Sequence, residues 1–397
     1  MYNTIYKISD VRKLIFYLYC FSINFEFWAP LPYISVSKFF GFLYIVSILP
    51  NLGFFLNIKP IKNIALPIII YLGIQTFMSL ININSYDRIF IDFSTISCFL
   101  IFIVSIKHCS IDSNLIENGL ISFSIGALIL AFSFFLDIGV QYYDGRVLIF
   151  GDNPNRVGIK ISVSLIIITM LIIKKKRFTL LFRMFLIVLI PFMLFVIIKT
   201  GSRTSIGIIF LSILAGIIFY DSKYFIGKVL IITLGVILFY QFYNIILENE
   251  SLVYRIEKTI KYQDLSGRKQ LWEKSFELIK SNVLLGKGST GYSEWMIRNF
   301  MFDQRGNPQV AHNAIIQILT YTGIVGLLFY SIFWARLFKL GIQDFIRKKN
   351  LTSLLFIIVI LSMILVSHVL HAKTPWLLYS YLATTKLKLG SNKDKFE

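Results

Sequence analysis

The chain has 397 residues, of which 56% are hydrophobic and 15% are charged, and its formal net charge at pH 7 is +19. A soluble chain carries about a quarter charged residues, so the composition and the many apolar runs exclude a soluble domain and predict an integral membrane protein. The basic residues fall in short clusters at the ends of apolar runs. This distribution is typical of the positive-inside rule and argues against nucleic-acid binding.

The apolar runs predict an all-α membrane protein with about twelve transmembrane helices, because a bilayer core about 30 Å thick needs about 20 helical residues. The predicted domains are residues 1–246 with spans one to nine, residues 247–311 as one large external loop, and residues 312–397 with three spans and a tail. The predicted spans cover residues 13–30, 39–57, 64–84, 89–106, 115–137, 157–173, 179–198, 204–220, 226–246, 312–335, 351–369 and 374–385.

The charges in the short loops predict the orientation of the chain. The loops on one side hold 21 lysines and arginines, including the run Lys174-Lys175-Lys176-Arg177, and those on the other side hold seven. The basic side is cytoplasmic by the positive-inside rule. Both termini are therefore expected in the cytoplasm, and residues 247–311 are expected to face outward. In a Gram-negative cell that side is the periplasm, where ATP and nucleotide sugars are absent.

The first unusual outward segment runs from Gly151 to Gly158, before the sixth span. Its Asn-Pro and glycine residues indicate a turn, and Asn155 is predicted to cap the following helix. Arg156 is a candidate anion contact at the helix N-terminus, and Lys160, one helical turn further on, is predicted to face the same site. A capped helix entry without a binding role is the alternative interpretation.

The second such segment runs from Thr200 to Gly207, before the eighth span. Ser202 or Thr204 is predicted to cap this helix, and Gly207 is predicted to permit close helix packing. Arg203 lies at the membrane boundary, where a guanidinium binds phosphate in a bidentate manner that lysine cannot reproduce. The alternative is an arginine that reaches for a lipid phosphate.

The long external interval contains Arg268, followed by Leu271, Ser275 and Leu278 at helical spacing, which predicts an amphipathic helix on the bilayer surface. The glycine cluster at residues 286–291 suits phosphate, but it lacks the strand and the Lys-Ser/Thr pair of a nucleotide-binding loop. His312 and Asn313 open the tenth span, and an imidazole there is suited to take a proton from a sugar hydroxyl. Zinc motifs and hydrolase triads are absent, so chemistry without a metal or a cofactor is expected.

Three pieces occur in a characteristic order within residues 145–330: Ser202-Arg203 with Gly207, Gly267-Arg268 with Trp272, and His312-Asn313 with Gly323-Ile324-Val325-Gly326. Together they resemble the O-antigen ligase/polymerase superfamily. The resemblance implies a GT-C-like fold and transfer of a glycan from an undecaprenyl-pyrophosphate carrier at the periplasmic face. It also implies that Arg203 and Arg268 bind the pyrophosphate and that His312 activates the acceptor. Further candidate substrate-binding residues are Asn155, Arg156, Lys160, Ser202 and Asn313.

An O-antigen polymerase, which joins carrier-linked repeat units during lipopolysaccharide biosynthesis, is the first expectation, because residues 309–317 resemble polymerases. An O-antigen ligase, which moves the glycan to lipid A-core, is the alternative. A flippase for lipid-linked oligosaccharides is the alternative from another class. The expected enzyme is an inverting, metal-independent glycosyltransferase, and its expected partners are the lipid-linked oligosaccharide, membrane lipid and a chain-length regulator protein.

Overall fold

The computed structural model describes residues 2–30, 34–82, 90–143, 146–173, 179–219, 268–302, 308–366 and 369–390, together with isolated positions between 240 and 261. These residues are mainly helical, which confirms the prediction that the fold is built mainly from helices. The α-helices are α1 (Tyr2–Ser22), α2 (Val36–Ser47), α3 (Leu52–Phe55), α4 (Lys62–Ile81), α5 (Phe90–Cys109), α6 (Leu115–Phe135), α7 (Pro154–Ile173), α8 (Leu180–Lys199), α9 (Arg203–Phe219), α10 (Arg268–Ser281), α11 (Gly288–Arg298), α12 (Ala314–Lys348), α13 (Leu351–Val366) and α14 (Lys373–Gly390).

Within the described part of the chain, seven helical segments are long and apolar enough to cross a membrane, and they correspond to predicted spans two to seven and ten. The shorter apolar helices α9 and α13 match spans eight and eleven. Span nine, residues 226–246, lies almost entirely outside the described residues, as does the run at 174–177. At the position of the last predicted span, the helix α14 (Lys373–Gly390) is longer than predicted, but it is not among these apolar segments. The seven candidate segments are Val36–Phe55, Lys59–Ile81, Asp92–Cys109, Leu115–Phe135, Pro154–Ile173, Leu180–Lys199 and Ala314–Lys348.

A two-stranded antiparallel hairpin, β1 (Val140–Tyr143) and β2 (Arg146–Ile149), precedes α7. The prediction of helices alone is therefore wrong at this point. Val147 and Ile149 of β2 are buried, whereas the intervening residues are only partly buried, so the strand alternates as half-buried strands do. The sequence contains Asp144-Gly145 between the strands, a dipeptide typical of tight hairpins. This dipeptide is a local signal for the hairpin.

The chain divides into two compact units, each assembled from separate stretches of sequence. Unit 1 comprises Met1–Pro50, Ile111–Glu257 and Gln343–Val359, and unit 2 comprises Asn51–Ser110, Lys258–Ile342 and Ile360–Glu397. In unit 1, α7 packs against α6, α8 and α9. In unit 2, α5 packs against α4 and α14, while α11 packs against α4 and α10.

Helix α12 is interrupted at Gly323, whose backbone angles (φ 62°, ψ −162°) are not helical. The segment just before α11 supplies partners to the backbone at the break: Ile324 N donates to the carbonyl of Val283 at 2.9 Å, and Lys287 N donates to the carbonyl of Thr320 at 2.9 Å. Lipid offers no such partners, so a break at membrane depth persists only where protein satisfies its backbone groups. The predicted span 312–335 is thus a broken helix that continues to Lys348.

Candidate functional site

In unit 1, the entry to α7 is capped by Asn153. The carbonyl oxygen of its side chain accepts a hydrogen bond from Asn155 N at 2.9 Å, and its backbone carbonyl accepts one from Arg156 N at 2.9 Å. The prediction that Asn155 caps α7 is wrong. Pro154 is the first helical residue, a position that suits proline because its missing N–H would be unpaired there in any case. The cap of α7 is therefore Asn153, the residue before Pro154.

Arg146 of β2 joins the two outward segments of unit 1, a role that sequence reasoning missed. Its Nη2 donates to the side-chain oxygen of Asn155 at 2.9 Å, and its Nε donates to the backbone carbonyl of Thr200 at 3.1 Å. One guanidinium thus links the N-terminus of α7 with the turn that precedes α9. The hairpin that carries Arg146 was not predicted, so the sequence offered little reason to select this residue.

Ser202 caps α9, as predicted, because its Oγ accepts a hydrogen bond from Ser205 N at 3.3 Å. Arg203 is therefore the first residue of α9, and its side chain is partly exposed. The predicted close packing at Gly207 is wrong, since a Cβ there would meet nothing within 4 Å. The close approach lies instead at Gly158, where a Cβ would come within 2.4 Å of Ser205 Oγ. The two outward segments therefore meet where α7 passes the start of α9.

Lys160 has a carboxylate partner that the sequence analysis did not assign. Its Nζ lies 2.6 Å from Asp152 Oδ2 and 3.4 Å from the backbone carbonyl of Asn24, and both side chains of the ion pair are almost completely buried. A lysine in an apolar span requires a partner of opposite charge. Asp152 precedes Lys160 by only eight residues, so the sequence contained the information needed to predict this ion pair. Binding of substrate by Lys160 stays a prediction.

One end of unit 1 combines three arginines with two helix N-termini. The guanidinium carbon of Arg156 lies 4.5 Å from the centre of the Phe27 ring, a cation–π contact that holds this side chain at the start of α7. Arg146 and Arg203 lie on the adjoining segments described above. Helix N-termini favour negative charge, and arginine adds bidentate donors. This end of unit 1 is therefore chemically suited to an anion such as phosphate.

In unit 2, α10 begins at Arg268 and buries Leu271, Ser275 and Leu278, which confirms the predicted helical face. Trp272, one turn after Arg268, donates its indole N–H to the carbonyl of Ala311 at 2.7 Å. Ala311 is fully buried and directly precedes His312. This hydrogen bond fixes the start of the helix that carries Arg268 against the segment that carries His312.

His312 adopts a left-handed backbone conformation with φ 49°, and its side chain is partly exposed. Asn313 caps α12, because its Oδ1 accepts hydrogen bonds from Ile315 N at 2.9 Å and Ile316 N at 3.1 Å. Its Nδ2 also donates to the carbonyl of Leu365 at 3.1 Å. The Asn313 side chain therefore holds His312 at the entry of α12, and a contact of Asn313 with substrate stays a prediction.

The glycine cluster at residues 286–291 serves close backbone packing. Gly286 and Gly288 have φ values of +66° and +69°, and a Cβ on Gly288 would come within 2.3 Å of Ser79 N in α4. Ser289 N donates to Ser79 Oγ at 2.9 Å. This backbone N–H, which a phosphate-binding loop would leave available, is thus used in packing against α4.

Residues 188–331 of the chain match the family model described as O-Antigen ligase. No curated protein matches the chain. The matched segment contains Arg203, Arg268 and His312 and all of α10 and α11. Members of this family are glycosyltransferase-like enzymes that act on lipid-linked glycans, and the multiple apolar helices agree with a multi-pass membrane protein. The match over residues 188–331 supports the O-antigen ligase/polymerase superfamily for this segment of the chain.

Proposed function

We propose that the protein is an O-antigen polymerase, which joins oligosaccharide repeat units carried on undecaprenyl pyrophosphate at the periplasmic face of the inner membrane. The hydrogen bond from Trp272 to the carbonyl of Ala311 carries this proposal. It brings the N-terminal turn that bears Arg268 and the residue beside His312 into one rigid part of unit 2. A phosphate-binding group and a base on adjacent elements are what a transfer from a pyrophosphate carrier requires.

The proposed reaction is a single displacement at the anomeric carbon of the donor sugar. The acceptor hydroxyl oxygen forms the new glycosidic bond as the bond between the anomeric carbon and the pyrophosphate oxygen breaks. The imidazole of His312 takes the hydroxyl proton and later releases it to water, while the pyrophosphate leaves with the electron pair. Attack from the opposite face inverts the anomeric configuration, so the product linkage is expected to be opposite to that of the donor.

The leaving pyrophosphate gains negative charge in the transition state, and the proposal assigns that charge to Arg203 and Arg268. Preplaced donors stabilise charge that grows during reaction, and one such donor contributes about 2.7–4 kcal/mol to the activation free energy. Arg156, Ser202, Asn155 and Lys160 stay proposed contacts of the pyrophosphate and the first sugars. Two guanidinium groups then perform the task that a divalent cation performs in many sugar transferases.

A ligase is the second candidate, because the matching family model is described by that name. Ligase and polymerase share the lipid-linked donor and differ in the acceptor, which is lipid A-core for a ligase and the sugar end of another carrier-linked chain for a polymerase. The compact stretch from Gln309 to Gln317, which resembles polymerases, favours the polymerase. Both reactions use the same proposed roles for the two arginines and the histidine.

Deletion of the gene separates the two functions. Loss of a polymerase is expected to leave lipopolysaccharide with core plus one repeat unit on a silver-stained gel, and wild-type protein supplied in trans is expected to restore the ladder. Extracted carrier lipid should then hold single repeat units. Core without any repeat, together with long polymer on the carrier lipid, would assign the ligase reaction to this protein instead.

Trp272→Phe is expected to lower glycan transfer about tenfold, because it removes the hydrogen bond that positions the segment before His312. The net contribution of such a bond to the free energy of unfolding is about 0.5–1.5 kcal/mol, so the variant is expected to fold. Turnover with purified protein and lipid-linked donor gives the rate, and thermal unfolding in detergent gives the stability.

Trp295→Phe is the matched control for this prediction. Trp295 also donates its indole N–H to a backbone carbonyl, that of Lys274, at 2.9 Å, but this bond joins α11 to α10 and does not reach residue 311. A similar loss of stability is expected in both variants, with the loss of transfer confined to Trp272→Phe. Equal losses of transfer in the two variants would show that general destabilisation, not positioning, explains the effect.

A further inference from the structure

Unit 2 contains a buried polar cluster that the proposed transfer reaction does not use. Helix α4 carries Tyr71, Gln75 and Ser79 at intervals of four residues, so the three side chains share one face of the helix, and all three are fully buried. Asp92, in the first turn of α5, is also buried. Gln75 Nε2 donates a hydrogen bond to Asp92 Oδ1, which joins the two helices through a carboxyl group.

Helices α11 and α12 complete the cluster. Ser79 and Ser289 place their hydroxyl oxygens 3.3 Å apart, and both hydroxyls interact with the carboxyl of Asp92. Gln317 Nε2 lies 3.0 Å from Tyr321 Oη in the first part of α12. The Tyr292 ring of α11 lies 5.5 Å from the Tyr321 ring, measured between centroids. Four helices therefore direct polar side chains to one buried region of unit 2.

Four buried oxygen atoms in this region have no hydrogen-bond partner among the described residues. Each belongs to a side chain that is at most 3% exposed. Buried polar atoms in folded proteins almost always have a partner, so four orphaned oxygens in one cluster are unusual. The four atoms are Tyr71 Oη, Gln75 Oε1, Asp92 Oδ2 and Gln317 Oε1.

The carboxyl of Asp92 requires either a positively charged partner or a proton. Asp92 opens a candidate membrane span, and among the described residues its carboxyl has hydrogen bonds with the side chains of Ser79, Gln75 and Ser289, which are all neutral. Lys287, beside the cluster, donates its ammonium to Asn82 Oδ1 at 3.3 Å. An isolated carboxylate in a low-dielectric region costs several kcal/mol unless it is paired or neutralised, and ionisable groups at membrane depth usually mark functional sites.

The C-terminal ends of two helices also favour a positive charge near Asp92. The first part of α12 stops at Gly323, two residues after Tyr321, and α4 stops at Ile81, two residues after Ser79. The C-terminal end of a helix carries partial negative charge. In membrane transporters, the C-terminal ends of broken helices and their unwound backbone carbonyls coordinate sodium ions or protons.

We propose that this cluster binds a single monovalent cation of the size of sodium, with the four orphaned oxygens as ligands. Oxygen-only ligands select hard cations, and one carboxylate balances one positive charge, which favours a monovalent ion over calcium or magnesium. A proton on Asp92 would remove the charge but would leave the amide oxygens of Gln75 and Gln317 without partners. The cation holds α4, α5 and α12 together, and its presence does not depend on the proposed glycan transfer.

Thermal unfolding of the purified full-length protein in detergent tests the proposal. Sodium chloride is exchanged for choline chloride at constant ionic strength and pH, with potassium chloride as a third arm. Sodium is expected to raise the midpoint of wild-type unfolding by roughly 3 °C or more at saturation, since a ligand that binds only the folded state stabilises it. Asp92→Asn is expected to show no sodium-dependent shift.

Asp344→Asn is the matched control, because Asp344 of unit 1 is a buried carboxylate with its partners in place: Asn350 Nδ2 and Ser353 Oγ each lie 2.6 Å from it. This variant should keep the full response to sodium. If Asp92→Asn does not fold, binding of radioactive sodium to the wild-type protein, competed by sodium and not by choline, gives the same answer. An equal midpoint in sodium and choline overturns the proposal, and so does an Asp92→Asn variant that keeps the shift.

Discussion

Replacing Arg268 with lysine is expected to abolish O-chain growth, although the charge at this position is kept. A guanidinium offers two parallel N–H donors to a phosphate, whereas an ammonium is a single point charge. Loss of one preplaced donor of this kind lowers turnover by about 100- to 1,000-fold. Turnover of purified protein with lipid-linked donor gives the rate, and the lipopolysaccharide ladder gives the phenotype in cells.

Arg298→Lys is the control for this variant. Arg298 stands at the end of α11 in the same unit, with its side chain 73% exposed and 3.7 Å from Glu294. Its replacement changes the same chemical group without touching the proposed site, so the ladder is expected to stay normal. A normal ladder from Arg268→Lys as well would show that Arg268 is not a bidentate phosphate contact, and the proposed assignment would have to be abandoned.

The second large effect is expected at His312, and the backbone dictates the choice of replacement. Its φ of 49° lies in the left-handed region, which asparagine tolerates better than alanine does. His312→Asn therefore keeps the backbone and the polarity but removes the group that accepts a proton. A fall in turnover of about 100- to 10,000-fold is expected, with an unchanged midpoint of thermal unfolding.

Phe300→Asn is a suitable comparison, because Phe300 has a φ of 56° and is 85% exposed on the same external interval. The Phe300→Asn variant places asparagine in the same left-handed backbone conformation at a position other than 312, and normal turnover is expected. His312→Ala should combine the loss of turnover with a lower unfolding midpoint. Turnover of His312→Asn within a few-fold of the wild type would rule out His312 as the base.

Helix positions and faces could be predicted from the sequence where a local rule determines them. The spacing of Leu271, Ser275 and Leu278 is sufficient to predict the buried face of α10, because a helix repeats every 3.6 residues. Ser202 caps α9 by a local hydrogen bond. The assignment of the α7 cap to Asn155 failed although a local signal existed, since the preference of proline for the first helical position indicates Asn153.

Features that depend on distant partners could not be predicted. The sequence contains glycine at both 158 and 207, and only the packing of α7 on α9 decides that Gly158 is the contact. The pairing of Lys160 with Asp152 could have been inferred from the cost of a buried charge, but the bonds of Arg146 to Asn155 and Thr200 depend on a hairpin that was not recognised. The cluster around Asp92 combines residues separated by more than 200 positions in the chain.

The interruption of α12 at Gly323 also constrains how the protein is made. The backbone groups at the break find their partners in residues 283–287, which leave the ribosome before the helix does. An apolar helix entering the bilayer from the translocon normally completes its own backbone hydrogen bonds. This one completes its hydrogen bonds only when residues 283–287 have folded back against it. These residues therefore take part in the assembly of the helix as well as in its final structure.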